Sequence, residues 1–239
     1  MQNRYSQVKA LTFDVFGTVV DWYGSIIAEG EKFGDTHGID IDWAQFALKW
    51  RAGYGPAMNK VRHGELPWQN IDALHRLILN GLLDEFNITG LSEADKDHLN
   101  RVWHRLKPWP DAVSGLKRLR KRYIIATLSN GNVALLTNMA KFEGLPWDCI
   151  LSAELTGHYK PDPEVYETAA SLLGLSPSEV MMVAAHPGDL RASQAVGFHT
   201  ALVPRPLEYG PGRVQEVTAH PSDIVASDFN ELADLLGAK

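Results

Sequence analysis

Residues 9–21 read KALTFDVFGTVVD, a short apolar run that ends abruptly at the carboxylate of Asp14. Gly17 and Thr18 follow within four positions, which is typical of a β-strand that delivers an acid to a loop. In open parallel α/β sheets, ligands bind beyond the carboxyl ends of the strands. Asp14 is therefore a candidate for chemistry, although an aspartate that merely caps a turn produces the same pattern.

Size, charge and composition limit the class of protein. A chain of 239 residues can bury a sizeable core, and a formal net charge of -6 argues against general nucleic-acid binding. The first residues are polar and no apolar run approaches the roughly 18 residues that a membrane-spanning helix needs, so we expect no membrane partner. The single cysteine, Cys149, lies in an apolar run and is predicted to be a buried small hydrophobe. One cysteine forms no internal disulfide, which fits a cytoplasmic location.

A long helical stretch follows the first strand. Apolar residues recur three and four positions apart in residues 23–33, 43–61, 68–86 and 92–106. Asp42 and Ser92 are predicted to be N-caps, and Pro67 is predicted to lie in the first turn of the third helix. Pro108 and Pro110 then end the helical pattern. We predict that residues 22–107 form an inserted helical cap domain.

Strands and helices alternate from residue 111 onward. Predicted strands span 123–128, 149–152, 179–185, 200–203 and 223–226, and predicted helices span 113–120, 133–142, 164–173, 190–196 and 229–236. Residues 205–212, rich in Pro and Gly, are predicted to be a loop. This alternation predicts an α/β fold, a Rossmann-like parallel sheet covered on both faces. Because the first strand must pair with the later ones, the core domain is predicted to comprise residues 1–21 and 108–239.

Polar side chains follow the later strands as well. Ser129 and Asn130 end the second core strand, Lys160 stands in a loop before a helix, and His186 and Asp189 follow the fourth core strand. Each of these signals is weak alone. Together with the first acid, their placement after successive strands predicts a catalytic site at one edge of the sheet.

With these motifs, the chain resembles the haloacid dehalogenase superfamily and, within it, the two-domain L-2-haloacid dehalogenases of type II. The resemblance covers essentially the whole chain. Its motifs lie at residues 13–18, at the Leu-Ser-Asn-Gly of residues 128–131, at the Lys-Pro-Asp of residues 160–162 with Tyr166 following, and at Asp189. The helical insert matches the cap of that family.

The resemblance implies a role for each motif residue. Asp14 is expected to attack carbon 2 of a 2-haloalkanoate, which expels halide and leaves an aspartyl ester that water hydrolyses. Thr18 and Ser129 are expected to position the nucleophile and the substrate, and Lys160 to keep Asp14 ionised by lowering its pKa. The resembling dehalogenases work without a metal or another cofactor, so we expect none here. Homodimers are what the resemblance suggests.

Position 16 separates two branches of the superfamily. The phosphatases usually carry a second Asp two positions after the nucleophile, which protonates the leaving oxygen, whereas this chain has Phe16. Halide is a weak base and leaves without a proton, so an aromatic residue is acceptable there. Phe16 therefore favours dehalogenation, even though its ring is also suited to ordinary loop packing.

Four residues are expected to contact the substrate or the halide. Arg51 in the cap matches the arginine of the family that faces the leaving halide, and a guanidinium offers several donors to a developing anion. The alternative for Arg51 is a solvated helix charge. Asn130 is expected to be a second halide donor, and Phe16 and Tyr166 are expected beside the substrate. Further aromatic residues are expected in the core or along an apolar pocket: Trp22, Tyr23, Trp50 and Tyr54.

The fourth core strand departs from the pattern of the family. Related dehalogenases carry a Ser-Ser-Asn segment followed by an aromatic residue, whereas this chain has Ala184-Ala185-His186 and then Gly188. We predict that His186, oriented by Asp189, deprotonates the water that attacks the ester. The alternatives are that Asp189 activates the water, or that His186 is a structural hydrogen-bond donor at a helix start. The change leaves the preferred halogen open.

We therefore predict a hydrolase that acts on carbon–halide bonds and converts short 2-haloalkanoic acids into 2-hydroxy acids and halide ion. One alternative is a phosphatase or another small-molecule hydrolase of the same superfamily. Another is a non-catalytic interaction protein that kept the fold. Retention of Asp14, Ser129, Lys160 and Asp189 together weighs against the last alternative, because folding alone does not require all four.

Overall fold

The computed structural model describes residues 5–214 and 221–239, so residues 1–4 of the predicted polar start and residues 215–220 of the predicted core lie outside the described residues. In chain order the elements are β1 (Ala10–Phe13), β2 (Val20–Asp21), α1 (Trp22–His37), α2 (Trp43–Arg62), α3 (Ile71–Glu85), α4 (Glu93–Asn100), β3 (Lys107–Pro108), α5 (Ala112–Arg120), β4 (Ile124–Ser129), α6 (Val133–Glu143), β5 (Cys149–Ser152), α7 (Pro163–Leu172), β6 (Val180–Ala184), α8 (Pro187–Ala195), β7 (His199–Leu202), β8 (Ile224–Val225) and α9 (Phe229–Leu235).

The main sheet confirms the predicted α/β, Rossmann-like fold. Among the described residues it has six strands in the order β5-β4-β1-β6-β7-β8, and every neighbouring pair is parallel. The chain moves from β1 to β4 and β5 on one side and then to β6, β7 and β8 on the other. The strand order therefore reverses between β1 and β6, and ligands of open α/β sheets bind at such a switch point.

Both faces of the sheet are buried. Alternate side chains of β6 point to opposite faces, so Met181 and Val183 join one apolar cluster and Met182 and Ala184 join the other. A central parallel strand covered on both sides is expected to read as a continuous apolar run, as β6 does. The edge strand β5 is less covered, which leaves Cys149 only half-buried rather than buried as predicted.

The predicted elements after residue 111 are present, with ends within three residues of those predicted. The largest shift is at α8, which begins at Pro187 rather than at Leu190. Proline suits the first turn of a helix because its φ is already helical and it has no N–H to satisfy. This early start places Asp189 in the first turn of α8.

Helices α1 to α4 leave the sheet after β2 and return at β3, and these two short strands pair with each other in antiparallel fashion. Asp42 and Ser92 cap helices as predicted, through bonds from Gln45 N and Asp95 N. The predicted start of the third helix near Pro67 is wrong, because Asn70 caps α3 by accepting a bond from Ala73 N at 3.1 Å.

Helix α4 ends at Asn100, and a short 3₁₀ helix at Arg101–His104 replaces the predicted continuation to residue 106. The division of the chain into a core and a cap stays a prediction. Of the helices in the described ranges, none is both long enough and apolar enough to cross a lipid bilayer.

Candidate active site

Asp14 lies directly after β1, at the switch point of the sheet. Its side chain is nearly buried and accepts three hydrogen bonds. Lys160 Nζ donates to Oδ1 at 2.9 Å, and Thr18 Oγ1 and His186 Nδ1 lie 2.7 and 2.8 Å from Oδ2. Three donors around one carboxylate favour its ionised form. The loops after β1, before α7 and before α8 therefore bring these three side chains to Asp14.

Thr18 connects the loop after β1 with the end of β6. Its hydroxyl donates to Asp14 and accepts a bond from Ala185 N at 2.9 Å. Both bonds use a fully buried hydroxyl, so its orientation is fixed. Thr18 therefore holds the Asp14 carboxylate in place, and its predicted role in positioning a nucleophile stays a prediction.

Lys160 and Asp189 form one side of the site. The Lys160 ammonium binds both Asp14 and Asp189, and Tyr166 donates its hydroxyl proton to Asp189 Oδ1 at 2.5 Å. Asn130 supports this side as well, because its Oδ1 accepts a bond from Lys160 N at 2.6 Å. All partners of the ammonium are thus held in turn by other groups.

His186 forms the other side, and its partner differs from the predicted one. Nδ1 faces Asp14, while Nε2 lies 2.9 Å from Oε2 of Glu208. The prediction that Asp189 orients His186 is wrong, because both oxygens of Asp189 are bound by Lys160 and Tyr166. The imidazole is instead held between two other carboxylates.

Glu208 reaches the site on the loop after β7, which Arg205 anchors. The Arg205 guanidinium donates to both oxygens of Asp111 at 2.7 and 2.8 Å and to Thr18 O at 2.9 Å. Glu208 N then bonds to Arg205 O at 3.0 Å, and Trp22 Nε1 donates to Glu208 Oε1 at 3.0 Å. These bonds fix a buried carboxylate beside the imidazole.

Gly17 leaves the space that Glu208 fills. A Cβ atom at position 17 would lie 2.3 Å from Glu208 Oε1, and the backbone there has φ +81°. The positive φ favours glycine, and a larger residue here would have to displace the Glu208 carboxylate. A signal for Glu208 was present in the sequence, because it is the single acidic residue of residues 203–212, and a loop that follows a parallel strand lies at the edge where ligands bind.

The charges on the lysine side favour Asp14 as the anion. Burial alone would raise the pKa of Asp14, but the Lys160 ammonium and the hydrogen bonds from His186 and Thr18 outweigh burial and hold this pKa far below its usual range. Burial raises the pKa of Asp189. The Lys160 ammonium opposes this effect and the charge of Asp14 adds to it, so the pKa of Asp189 stays above its usual value. Asp14 is therefore held in its ionised form, which its predicted role as nucleophile requires.

The charges on the other side hold a proton on His186. Burial alone would lower its pKa, but hydrogen bonds to Asp14 and Glu208, and the charges of these carboxylates, raise the pKa of His186 to about 10. Burial would likewise raise the pKa of Glu208, yet His186 and Arg51 keep it below its usual value. The resting site thus contains an imidazolium between two carboxylates at neutral pH.

A cavity of about 260 Å³ opens onto these groups. This volume is below the roughly 300–1,000 Å³ of pockets that take drug-sized ligands, so it suits a small molecule. Apart from Thr18, all the predicted site residues line it: Asp14, Phe16, Arg51, Ser129, Asn130, Lys160, Tyr166, His186 and Asp189. Tyr54 lines it too, whereas Trp22 and Trp50 are fully buried in the core.

Arg51 enters the cavity from α2 and is not a solvated helix charge. Its side chain is only 15% exposed, and its guanidinium lies 4.8 Å from the centre of the Tyr54 ring. The nearest carboxylate oxygen is Glu208 Oε1, 3.9 Å from Nη2. Arg51 Nε is buried and has no hydrogen-bond partner among the described residues. A buried donor without a partner is costly, so this guanidinium is suited to receive an anion.

The remaining predicted residues shape the cavity. Phe16 is buried and its ring meets Tyr54 and Trp103 edge to face, so its apolar ring stands where a general acid would be needed for a poor leaving group. Ser129 Oγ accepts a bond from Gly131 N at 3.1 Å. Its predicted role in positioning Asp14 and the substrate stays a prediction.

The side chains around Asp14 do not form a set of ligands for a divalent cation. Within the described ranges, no group of three or more His, Cys, Asp or Glu side chains is arranged to hold a metal ion. Mg²⁺ requires several oxygen ligands, but the Lys160 ammonium already bridges Asp14 and Asp189 and Phe16 supplies no oxygen.

Known proteins are similar to this chain along most of its length. A model of the haloacid dehalogenase-like hydrolase family matches residues 8–197. The (S)-2-haloacid dehalogenase 4A of Burkholderia cepacia is 31% identical over 209 residues, which are 84% of this chain and 87% of that protein.

Two solved structures are also similar. The L-2-haloacid dehalogenase PA0810 is 46% identical, with a TM-score of 0.91 over 96% of this chain and 99% of that chain. The defluorinating L-2-haloacid dehalogenase Rha0230 is 43% identical, with a TM-score of 0.94 over 97% of this chain and 96% of that chain. The family model covers most of the chain and the similar structures share its fold, so the chain belongs to the haloacid dehalogenase-like hydrolase family.

Proposed function

We propose that the protein hydrolyses short 2-haloalkanoic acids to 2-hydroxy acids and halide, through an aspartyl ester on Asp14. One observation carries this proposal. The Asp14 carboxylate is kept ionised by Lys160 and faces a small cavity in which Phe16 replaces the acid that an alkoxide leaving group would need. The names of the similar proteins support the same reaction class.

In the first step, an Asp14 oxygen attacks carbon 2 of the substrate. The new carbon–oxygen bond forms as the carbon–halogen bond breaks, and the halide leaves with the bonding electron pair. Arg51 and Asn130 line the same cavity and are our candidates to bind the departing halide. Ser129 and Tyr166 are our candidates for positioning the substrate.

In the second step, water hydrolyses the ester at the carboxyl carbon of Asp14. This step needs a base, and His186 Nδ1 lies 2.8 Å from Asp14 Oδ2. Attack at this carbon restores Asp14 and releases the 2-hydroxy acid. Thr18 and Lys160, which bind the two Asp14 oxygens, are placed to stabilise the negative charge that develops there.

The helices α1 to α4 support a cap over the strand ends. Arg51 reaches the cavity from α2, while Asp14, Lys160 and Asp189 reach it from the loop after β1, the loop before α7 and the first turn of α8. We therefore propose that residues 22–107 are the cap domain and residues 1–21 and 108–239 the core domain. The homodimer and the cytoplasmic location stay predictions, and light scattering and cell fractionation test them.

Halide release from resolved (S)- and (R)-2-chloropropionate, without added Mg²⁺, tests the function. We expect one chloride per 2-hydroxypropionate formed, and turnover of the (S) enantiomer. Chelator-treated enzyme should keep this activity, because the donors at Asp14 do not fit a divalent cation. A parallel assay with fluoroacetate tests whether fluoride is also released, as the name of one similar protein indicates. Absence of halide together with Mg²⁺-dependent cleavage of phosphate esters would establish the phosphatase alternative instead.

A further inference from the structure

We propose that Glu208 is a positioning residue that keeps the proton of neutral His186 on Nε2, so that Nδ1 becomes the base for ester hydrolysis once Asp14 is alkylated. The inference rests on the proposed aspartyl-ester reaction. Glu208 lies outside the recognised motifs in the sequence, and the base on His186 forms only when the first step has alkylated Asp14.

The two nitrogens of His186 have different partners. Nδ1 lies 2.8 Å from Asp14 Oδ2 and Nε2 lies 2.9 Å from Glu208 Oε2. An ionised carboxylate only accepts hydrogen bonds, so Glu208 requires an N–H group on Nε2. A neutral imidazole that keeps this bond has its lone pair on Nδ1, which is the nitrogen that faces the ester. The Glu208 carboxylate therefore selects the useful tautomer.

In the resting enzyme this base is blocked. With Asp14 and Glu208 both ionised, the pKa of His186 is about 10, so both nitrogens carry protons at neutral pH. Alkylation converts the Asp14 carboxylate into a neutral ester and removes one of the two charges that hold the imidazolium. The Nδ1 proton then loses its anionic partner and is released to solvent through the open cavity, while the Nε2 proton stays with Glu208.

Water then hydrolyses the ester with neutral His186 as the base. Nδ1 takes a proton from water as the water oxygen bonds to the carboxyl carbon of the ester. Collapse of the tetrahedral intermediate breaks the bond to the 2-hydroxy acid oxygen, which takes the proton back from Nδ1. The carboxylic acid left on Asp14 then gives its proton to His186, and this restores the ion pair of the resting site. Overall, one halide and one proton are released per water consumed.

The surroundings of Glu208 suit this role. Trp22 Nε1 holds the second carboxylate oxygen at 3.0 Å, and the loop carrying Glu208 is anchored by Arg205. The charged groups of the site form a row, Lys160, Asp14, His186, Glu208 and Arg51, which joins β1, α2 and the loops before α7, before α8 and after β7. Signs alternate along this row. Neutralising Asp14 therefore changes the charge next to His186 while Glu208 stays paired with Arg51.

The variant Glu208→Gln tests the proposal, because it removes the charge and keeps the size. With 2-chloropropionate, rapid-quench measurements should show one equivalent of chloride released at close to the wild-type rate. Ester breakdown, followed by intact mass, should slow by less than the roughly 10²-fold that loss of a general base costs, because His186 is still present. Because only the second step slows, kcat and KM should fall together and kcat/KM should change little.

The pH profile of ester breakdown separates positioning from a structural effect. Loss of the negative charge on Glu208 lowers the pKa of His186 in the ester, so the acidic limb should move to lower pH by about one unit. The control Glu143→Gln breaks a different ion pair, that with Lys107, and should leave both rate and profile unchanged. Glu208→Asp should give a rate between wild type and Glu208→Gln.

Two outcomes contradict different claims. Wild-type ester breakdown with an unchanged profile in Glu208→Gln would overturn this inference and leave the proposed function intact. A wild-type enzyme that releases no halide from any 2-haloacid would overturn both. Circular dichroism of the variant confirms folding, and a full chloride burst shows independently that the nucleophile and its cavity are intact.

Discussion

The two oxygens of Asp14 have different surroundings. Oδ1 binds the ammonium of Lys160. Burial alone would lower the pKa of Lys160, but the carboxylates of Asp14 and Asp189 raise this pKa above its usual range. Oδ2 binds His186, a group that can lose its proton within an accessible pH range. A permanent cation suits the first step, which needs an ionised nucleophile. A titratable cation suits the second, which needs a base. The permanent charge of Lys160 thus suits the first proposed step, and the titratable charge of His186 suits the second.

Replacement of Asp14 by Asn removes the carboxylate that both Lys160 and His186 bind. We expect Asp14→Asn to lose activity by roughly 10⁴-fold or more, because an amide is a poor nucleophile and no ester forms. Chloride release and intact mass measure this loss, with mass also verifying that the asparagine has not hydrolysed. Substantial turnover by the intact Asn protein would contradict a nucleophilic role.

Lys160→Met tests the permanent cation. We expect the chloride burst itself to slow by roughly 10²–10³-fold, since loss of the ammonium raises the pKa of Asp14 and removes a stabilising charge at the reacting group. Two buried carboxylates also lose their partner, so the free energy of unfolding should fall by about 3–5 kcal/mol. Stopped-flow halide detection and urea unfolding measure the two effects. A normal burst would place the essential cation elsewhere.

His186→Ala tests the removable charge. Lys160 still holds Asp14 ionised, so we expect a chloride burst close to one equivalent, followed by ester breakdown that is slower by about 10²-fold. Mass spectrometry of the quenched protein should show the ester on Asp14. Full steady-state activity in this variant would remove His186 from the role of base and leave it as a structural donor.

The smallest expected effect is on stability as a function of pH. The pKa of folded His186 is about 10, above the ordinary value of 6.5 expected for the unfolded chain. The stabilisation from its proton is therefore fully present below pH 6.5 and is lost as the pH rises through about 10. The difference in unfolding free energy between wild type and His186→Ala should thus shrink from pH 6 to pH 10. An equal difference at both pH values would contradict a protonated His186 in the resting enzyme.

Most of the sheet and one side of the site could be predicted from sequence. Alternating apolar runs indicate parallel strands, and parallel strands place their carboxyl ends at one edge, so Asp14, Lys160 and Asp189 were expected to meet. Local patterns were less reliable where a distant group competes. At residues 67–70, the Asn70 side chain starts α3 three residues after the predicted proline, and the Tyr159 hydroxyl binds Gln69 O.

The sequence by itself determined the fold class and the edge of the sheet that carries the polar groups. Periodicity and strand direction encode both features, whereas the roles expected of Asp14 and Lys160 follow from the family resemblance. Only the tertiary structure decided which acid faces His186. Asp189 is three positions away but is taken by Lys160 and Tyr166, whereas Glu208 is delivered by a loop whose path depends on the Arg205–Asp111 ion pair. Distance along the chain does not determine such a pairing, because a side chain at the edge of the sheet can contact any of the loops that meet there.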